Sequence, residues 1–340
     1  MAGEPAASAA PRVTVLIAAF NRQEYLLRAV RSALASTLRR SEFEVVVVKN
    51  FRNPEIDAFL DEQAVRVLNE GPAPVGAWMA RALTVARGTI ICLLNDDDEF
   101  EPGKLAAVVE RFGKEPALVY YHDRRMLVDP TGVAVPTEGR WERPQRAPFA
   151  LVSAADRLAK IGHVHRVRGL FHDSCISVDR RVLEGHADRL SQVVVSEDVF
   201  TYFCALATDG TLFFDNRRLT RFRVHARSKY REEKTGPRAA AVTAGRWALI
   251  AGIEEITRGT PAERAARLFR IVTTHQVFLE TDGGARPRAA EYWELWVFLV
   301  RYRVPSHAIL LGLSVLKVVA PRMTGAFFAR FWAFLDDRVT

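Results

Sequence analysis

Three short apolar runs at residues 13–19 (VTVLIAA), 43–48 (FEVVVV) and 90–94 (IICLL) constrain this chain more than anything else in it. Each is continuous rather than alternating, and two are dominated by β-branched residues, as expected of strands buried on both faces of a parallel sheet. Between them, apolar residues recur at helical spacing. Tyr25, Leu26, Ala29, Val30, Ala33 and Leu34 predict a helix capped by Asn21 with Glu24 behind it. Further helices are expected at 56–63 and 75–87, the second ending before Gly88, with a short strand at 65–68. Such alternation predicts an α/β fold whose ligand lies beyond the carboxyl ends of the strands.

Downstream, Pro102 opens a helix reaching Gly113, a strand covers 117–121, and 129–150 is rich in Pro, Gly and Arg and reads as an irregular connection. A strand at 175–178, a helix at 180–184, a helical run at 199–207 and strands at 211–214 and 219–224 follow. The remainder is helical: 238–257, 261–280, 288–303 and 305–335. The domain reading is a leader over 1–11, an α/β unit over 12–235 and a helical extension over 236–340.

With 49% hydrophobic and 26% charged residues over 340 positions, collagen-like, low-complexity and disordered classes are excluded. Charge is unevenly placed. Residues 1–215 hold 26 Lys and Arg against 29 Asp and Glu, whereas 216–340 hold 22 against 11. Four of the six tryptophans, Trp247, Trp293, Trp296 and Trp332, lie in that basic part, which suits an anionic partner. Cys92, Cys175 and Cys204 lie far apart and form no disulfide framework or CxxC site, so a reducing, cytoplasmic setting is expected. The first residues lack a signal-peptide pattern. The longest uncharged apolar stretch, 304–316, contains Pro305, Ser306 and His307 and falls short of the ~20 residues a membrane span needs.

The strongest chemical signal is LLNDDDEFEP at 93–102. Asp96, Asp97, Asp98 and Glu99 repel one another unless a cation is near, and hard oxygen ligands at a strand end suit Mg²⁺ or Mn²⁺. The alternative is a solvated acidic helix start ahead of Pro102. His163 and His165 share one face if that segment is a strand, though no third ligand is evident.

VTVLIAAFNRQEYLLRAVRSALAS, FEVVVV and ARGTIICLLNDDDEFEPGKL together resemble the N-terminal half of a family 2 glycosyltransferase of GT-A fold. SEDVFTYFCAL resembles that family's catalytic Glu-Asp motif, and RFRVHARS its late Arg-x-His-x-x-Ser element. The resemblance covers about residues 12–230 in four motifs in the right order. It implies a Rossmann-like, mostly parallel mixed sheet flanked by helices, with a nucleotide-sugar half at 12–125 and an acceptor half at 126–235. The activity implied is that of an inverting, metal-dependent enzyme of hexosyltransferase type. Its donor would be a UDP- or GDP-linked sugar and its cofactor Mn²⁺ or Mg²⁺. The acceptor would be a glycan or polyprenyl-linked glycan.

Carried onto these positions, the resemblance makes Asp97 the metal ligand with His225 close by, places Asp96 near ribose or diphosphate, and puts Asn95 where the family has Asp. Asp198 becomes the general base, with Glu197 beside it. Ala18, Ala19 and Asn21 would bind the nucleotide through backbone, and Asn50 would meet the base where the family carries an acid. The ending Lys49-Asn50-Phe51 resembles archaeal-type members, and Lys49 either neutralises phosphate or lies on the surface. Asp173 falls on the acceptor side.

A polyprenyl-phosphate acceptor, which needs no base, and a non-catalytic GT-A-like binding protein are the alternatives. A nucleotidyltransferase is disfavoured because the loop 18–22 lacks glycine. The chain carries no nucleic-acid motif. Residues 288–340 read as a peripheral membrane contact at the cytoplasmic face, or else as a helical cap or homodimer face.

Overall fold

The computed structural model describes residues 10–135, 145–225, 238–281, 286–302 and 304–319. In chain order the first half carries β1 (Val13–Ala19), α1 (Leu26–Leu34), β2 (Phe43–Lys49), α2 (Pro54–Glu62), β3 (Arg66–Asn69), α3 (Val75–Leu83), β4 (Ile90–Asn95), β5 (Glu99–Phe100) and α4 (Lys104–Lys114). The second half adds β6 (Leu118–Val128), β7 (Phe149–Leu151), α5 (Ala154–Ala159), α6 (Ile161–Arg166), β8 (Ile176–Asp179), α7 (Arg180–Glu184), α8 (Ala187–Leu190), α9 (Glu197–Ala207) and β9 (Thr211–Arg223). The helices α10 (Arg238–Thr257), α11 (Glu263–Glu280), α12 (Ala289–Tyr302) and α13 (Pro305–Val319) follow.

The strands form one sheet in the order β3-β2-β1-β4-β8-β6-β9-β5, with β7 on β9. From β3 to β4 every pairing is parallel, and Ala19 lies beside Lys49 and Ala18 beside Asn95. Beyond β4 the sheet is mixed, because β8 runs antiparallel to both β4 and β6. One face packs Val15, Ile17, Val45 and Val47 against α1, and the other packs Leu16, Val46 and Leu93 against α3 and α9. That two-sided burial is why the runs are continuous.

Several expectations are corrected. Asn21 does not cap α1; Tyr25 holds that position without a side-chain bond. Asn21 instead adopts a left-handed backbone (φ 55°) and pairs its side chain with Asn50. Asn53 is the cap that forms, accepting from the amides of Glu55 and Ile56 ahead of α2. Gly88 does not end a helix, since α3 stops at Leu83. It lets the chain pass β1, where a Cβ would collide with the Thr14 amide nitrogen.

The strands expected at 211–214 and 219–224 are one strand, β9. Register shifts in its pairing with β6 absorb the polar interruption, and Tyr121 donates to Asp215 at 2.6 Å. His163 and His165 lie on α6, not on a strand, so they diverge. His163 meets the Phe149 ring at 4.5 Å, and His165 packs among Phe298 and His307. Lys49 is neither on the surface nor open to phosphate. It is fully buried, with Nζ 2.7 Å from Asp57 and 3.0 Å from Asn69 Oδ1.

The C-terminal helices share the core. Leu249, Ile253, Ala265 and Phe298 join the cluster that contains Phe200 and Phe203 of α9. Among the described residues no helix is long and apolar enough to cross a membrane. Residues 320–335 of the expected last helix lie outside the described residues. The dock of α12 is close: a Cβ on Gly162 would collide with the Tyr302 side chain, whose hydroxyl donates to the Leu158 carbonyl at 2.9 Å. Gly162→Val is therefore expected to destabilise by about 1–3 kcal/mol through overpacking. Gly103→Ala, with nothing within 4 Å, should unfold as the parent does. Equal midpoints for the two variants in a thermal melt would refute that close dock.

Candidate active site

The carboxyl ends of β1, β2 and β4 lie side by side, and the loops leaving them build the site. After β1, the Asn21 amide donates to Asn50 Oδ1 and Asn50 Nδ2 donates to Asn21 Oδ1, both at 2.8 Å. This paired amide ties the loop after β1 to the end of β2, where Ala19 lies beside Lys49. Phe20 stands 44% exposed beside it, 5.4 Å from the Trp78 ring.

After β4 comes the acidic turn, and its counter-charge is Arg22. The guanidinium forks onto Asp96 through Nε and Nη2 and onto Asp97 through Nη1 at 2.7 Å. His225, just past β9, lies with Nε2 3.1 Å from the Asp97 carboxylate. Burial pushes the Asp96 carboxyl up to about 7 against the pull of Arg22. Burial acts on Asp97 too, but the His225 and Arg22 contacts outweigh it and hold that carboxyl below its ordinary value. The residues following His225 in RFRVHARS lie outside the described residues.

Asp98 and Glu99 face inward and carry structure. Asp98 accepts from Ser174 Oγ at 2.6 Å and from the Arg223 amide at 3.0 Å, and burial raises it to about 7. Fully buried Arg223 pairs with Glu99 and donates to the carbonyls of Asp97, Asp129 and Pro130. The acidic run is thus a folded turn clamped from β9, not a solvated helix start. Asn95 is held there too, its amide donating to Ser174 Oγ at 3.0 Å.

Ser174 belongs to the short turn His172-Asp173-Ser174 ahead of β8. Two residues earlier, the His172 amide donates to Asp198 Oδ2 at 2.8 Å, while the Val199 amide donates to Oδ1 at 2.7 Å. One three-residue turn therefore binds Asp98 at one end and Asp198 at the other, with Asp173 between them. Glu197, buried in the first turn of α9, adjoins Asp198. Ser196 ahead of them is left-handed (φ 57°) and makes no side-chain cap bond. The turn itself is pinned by buried Lys104, whose Nζ donates to the Ser174 carbonyl at 2.6 Å and pairs with Asp123.

Arg22, Arg223, Ser174 and Lys104 were not singled out from sequence. For Arg22 a signal existed, because four adjacent acids need a cation and Arg22 follows the strand that neighbours theirs.

Among the described residues no three His, Cys, Asp or Glu side chains converge as a metal site. Asp97 and His225 do meet, and Mg²⁺-type ions are commonly held by one or two carboxylates with substrate phosphates completing the shell. The donor set fits an ion shared with a diphosphate.

The profile described as Glycosyl transferase family 2 matches residues 14–159, which contain Arg22 and the acidic turn. The likeness to that family covers less than half of the chain. It is 35% identical over 112 residues to the succinoglycan biosynthesis protein ExoO of Rhizobium meliloti, a match covering 32% of this chain and 31% of that protein. It is 25% identical over 136 residues to the chondroitin synthase of Escherichia coli, covering 38% of this chain and 20% of that one. The matched segments thus span a third or less of these relatives. The solved structure of S. aureus TarS 1-349 in complex with UDP-GlcNAc superposes with a TM-score of 0.56 at 14% identity, covering 91% of this chain and 87% of that one. The sheet, its flanking helices and the helices after it form a GT-A-like fold.

Proposed function

We propose that this chain is an inverting glycosyltransferase that moves a sugar from a nucleotide-diphosphate donor to an acceptor hydroxyl, with Asp198 as general base. The observation that carries the reading is the His172–Ser174 turn, which holds Asp198 in fixed relation to the acidic turn. A donor placed across the ends of β1 and β4 would meet the Ala18, Ala19 and Asn21 backbone and the Asn50 amide. Phe20 presents a ring face to its base, and Asp96 lies at the ribose or diphosphate. The TarS structure was solved with UDP-GlcNAc, which favours a UDP-linked donor here over a GDP-linked one.

In the reaction, Asp198 takes the proton of the acceptor hydroxyl as its oxygen attacks the anomeric carbon. The bond from that carbon to the diphosphate breaks on the opposite side, and configuration inverts. A divalent ion, Mn²⁺ or Mg²⁺, held by Asp97 and His225 would neutralise charge on the departing diphosphate. Arg22, already at that point, supplies a guanidinium to the same oxygens. A glycan or polyprenyl-linked glycan is the acceptor class, and the cytoplasm the setting in which three buried free cysteines stay reduced. The relatives named above are bacterial and add nothing for the archaeal-type subgroup.

Thermal unfolding against UDP, GDP, CDP and dTDP, each with Mn²⁺, Mg²⁺ or EDTA, tests the donor site. A ligand at a hundred times its dissociation constant adds ~2.7 kcal/mol of stability. One nucleotide should raise the midpoint, more with metal than with EDTA, and Asp97→Ala should remove the metal-dependent part. If no nucleotide moves the midpoint, the binding-protein alternative takes over.

A further inference from the structure

The helix α12 has two unlike faces. Glu291, Leu295, Phe298 and Tyr302 are buried against the rest of the protein. The other face presents Ala289, Ala290, Trp293, Trp296, Val297 and Val300 to solvent, all apolar. Trp293 is 62% exposed, Trp296 45% and Val300 56%. The two indoles stack with centroids 4.9 Å apart. A surface helix ordinarily turns charged residues outward, so this stripe, roughly 16 Å long at 1.5 Å per residue, is built for a partner. Charges frame it: Arg288 precedes the helix and pairs with Glu291, exposed Arg301 closes it, and exposed Arg264 stands across a groove of about 620 Å³ between α11 and α12 that Glu263 and the Arg267–Glu294 pair also line.

We infer that this face docks on an anionic lipid surface, with Trp293 and Trp296 inserted at the headgroup level and the arginines on the lipid phosphates. Stacked indoles flanked by Arg suit a boundary between water and hydrocarbon. Basic residues near an anionic membrane surface contribute favourably, and residues 216–340 carry twice as many basic as acidic side chains. A sugar chain fits less well, because Ala289, Ala290, Val297 and Val300 provide no side-chain hydrogen bonds. A second copy also fits less well, since antiparallel pairing of α12 with itself brings Arg288 of one copy beside Arg301 of the other. The inference is independent of the transferase reading, because the face lies on the helical extension.

The test is co-sedimentation of the full chain with phosphatidylcholine vesicles, with and without phosphatidylglycerol. The parent should pellet with the phosphatidylglycerol vesicles and stay in solution with pure phosphatidylcholine. Trp293→Ser with Trp296→Ser should lower partitioning by about tenfold or more, from the apolar area no longer buried. Arg264→Gln with Arg301→Gln should reduce the preference for anionic lipid. Both variants alter exposed residues, so their nucleotide-dependent thermal shifts should match the parent's. No pelleting of the parent, or equal pelleting of the Trp variant, overturns the inference. A lipid-free dimer that the Trp variant dissociates overturns it in favour of a second copy.

Discussion

Asp198→Asn is expected to lower turnover at least about a hundredfold while leaving donor affinity within about twofold. The substitution keeps shape and one oxygen to accept from the His172 or Val199 amide, while its NH2 faces the other amide and forfeits that bond, so a melt of the variant is the control for a shifted turn. What disappears is a carboxylate able to take the acceptor's proton. Its cost should appear in kcat, since the donor contacts proposed above lie at the ends of β1, β2 and β4 and not on α9. Product release at saturating donor gives kcat, and the thermal shift with nucleotide reports donor binding separately. Glu197→Gln is the control from the same helical turn and should cost less. Near-normal turnover by Asp198→Asn would exclude a hydroxyl acceptor and favour a polyprenyl phosphate, whose attacking oxygen is already ionised.

How far the chain could be read follows from where each signal is stored. The strands β1, β2 and β4 were legible because burial on both faces leaves a continuous apolar run that local reading detects. β6 and β9 were only half legible. Both cross the core carrying polar residues, and although Arg217 meets Asp215 locally, Asp123 is tolerated because Lys104 and Thr220 meet it from elsewhere, as Tyr121 also meets Asp215. No local window contains those distant partners. The same reason separates the acidic turn from its supports: the run of acids is contiguous, whereas Arg22 and Arg223 lie 74 and 125 residues from the carboxylates they bind. The Asn21 cap failed because an amide partner, Asn50, outcompeted the helix end. The histidine pair failed because a period of two was assumed for a segment that folds with a period of 3.6.

Lys104→Met is expected to destabilise the protein by about 3–5 kcal/mol, the usual consequence of removing one member of a buried ion pair. Lys104 and Asp123 are both 0% exposed, so neither charge is reached by solvent when the other is removed. Its donors are fully used, by Asp123, by the Ser174 carbonyl and by the Thr220 hydroxyl at 2.9 Å, with the Phe100 ring 4.6 Å away. Burial already raises the Asp123 carboxyl, and Lys104 is the main opposing influence. Methionine fills the space but strands that carboxylate. At roughly 2–4 °C per kcal/mol for a large domain, the melting midpoint should fall by at least about 6 °C. Adding Asp123→Asn should recover part of the loss, because the stranded charge is gone while the Leu219 amide and Thr220 keep an acceptor. That recovery is the signature of coupling between the two side chains. The double variant should nevertheless stay impaired in turnover, since the Ser174 carbonyl has lost its lysine and the turn that spaces Asp98 from Asp198 is held less firmly. A midpoint within a degree of the parent for Lys104→Met, or full activity in the double variant, would show that this buried lysine does not position the site.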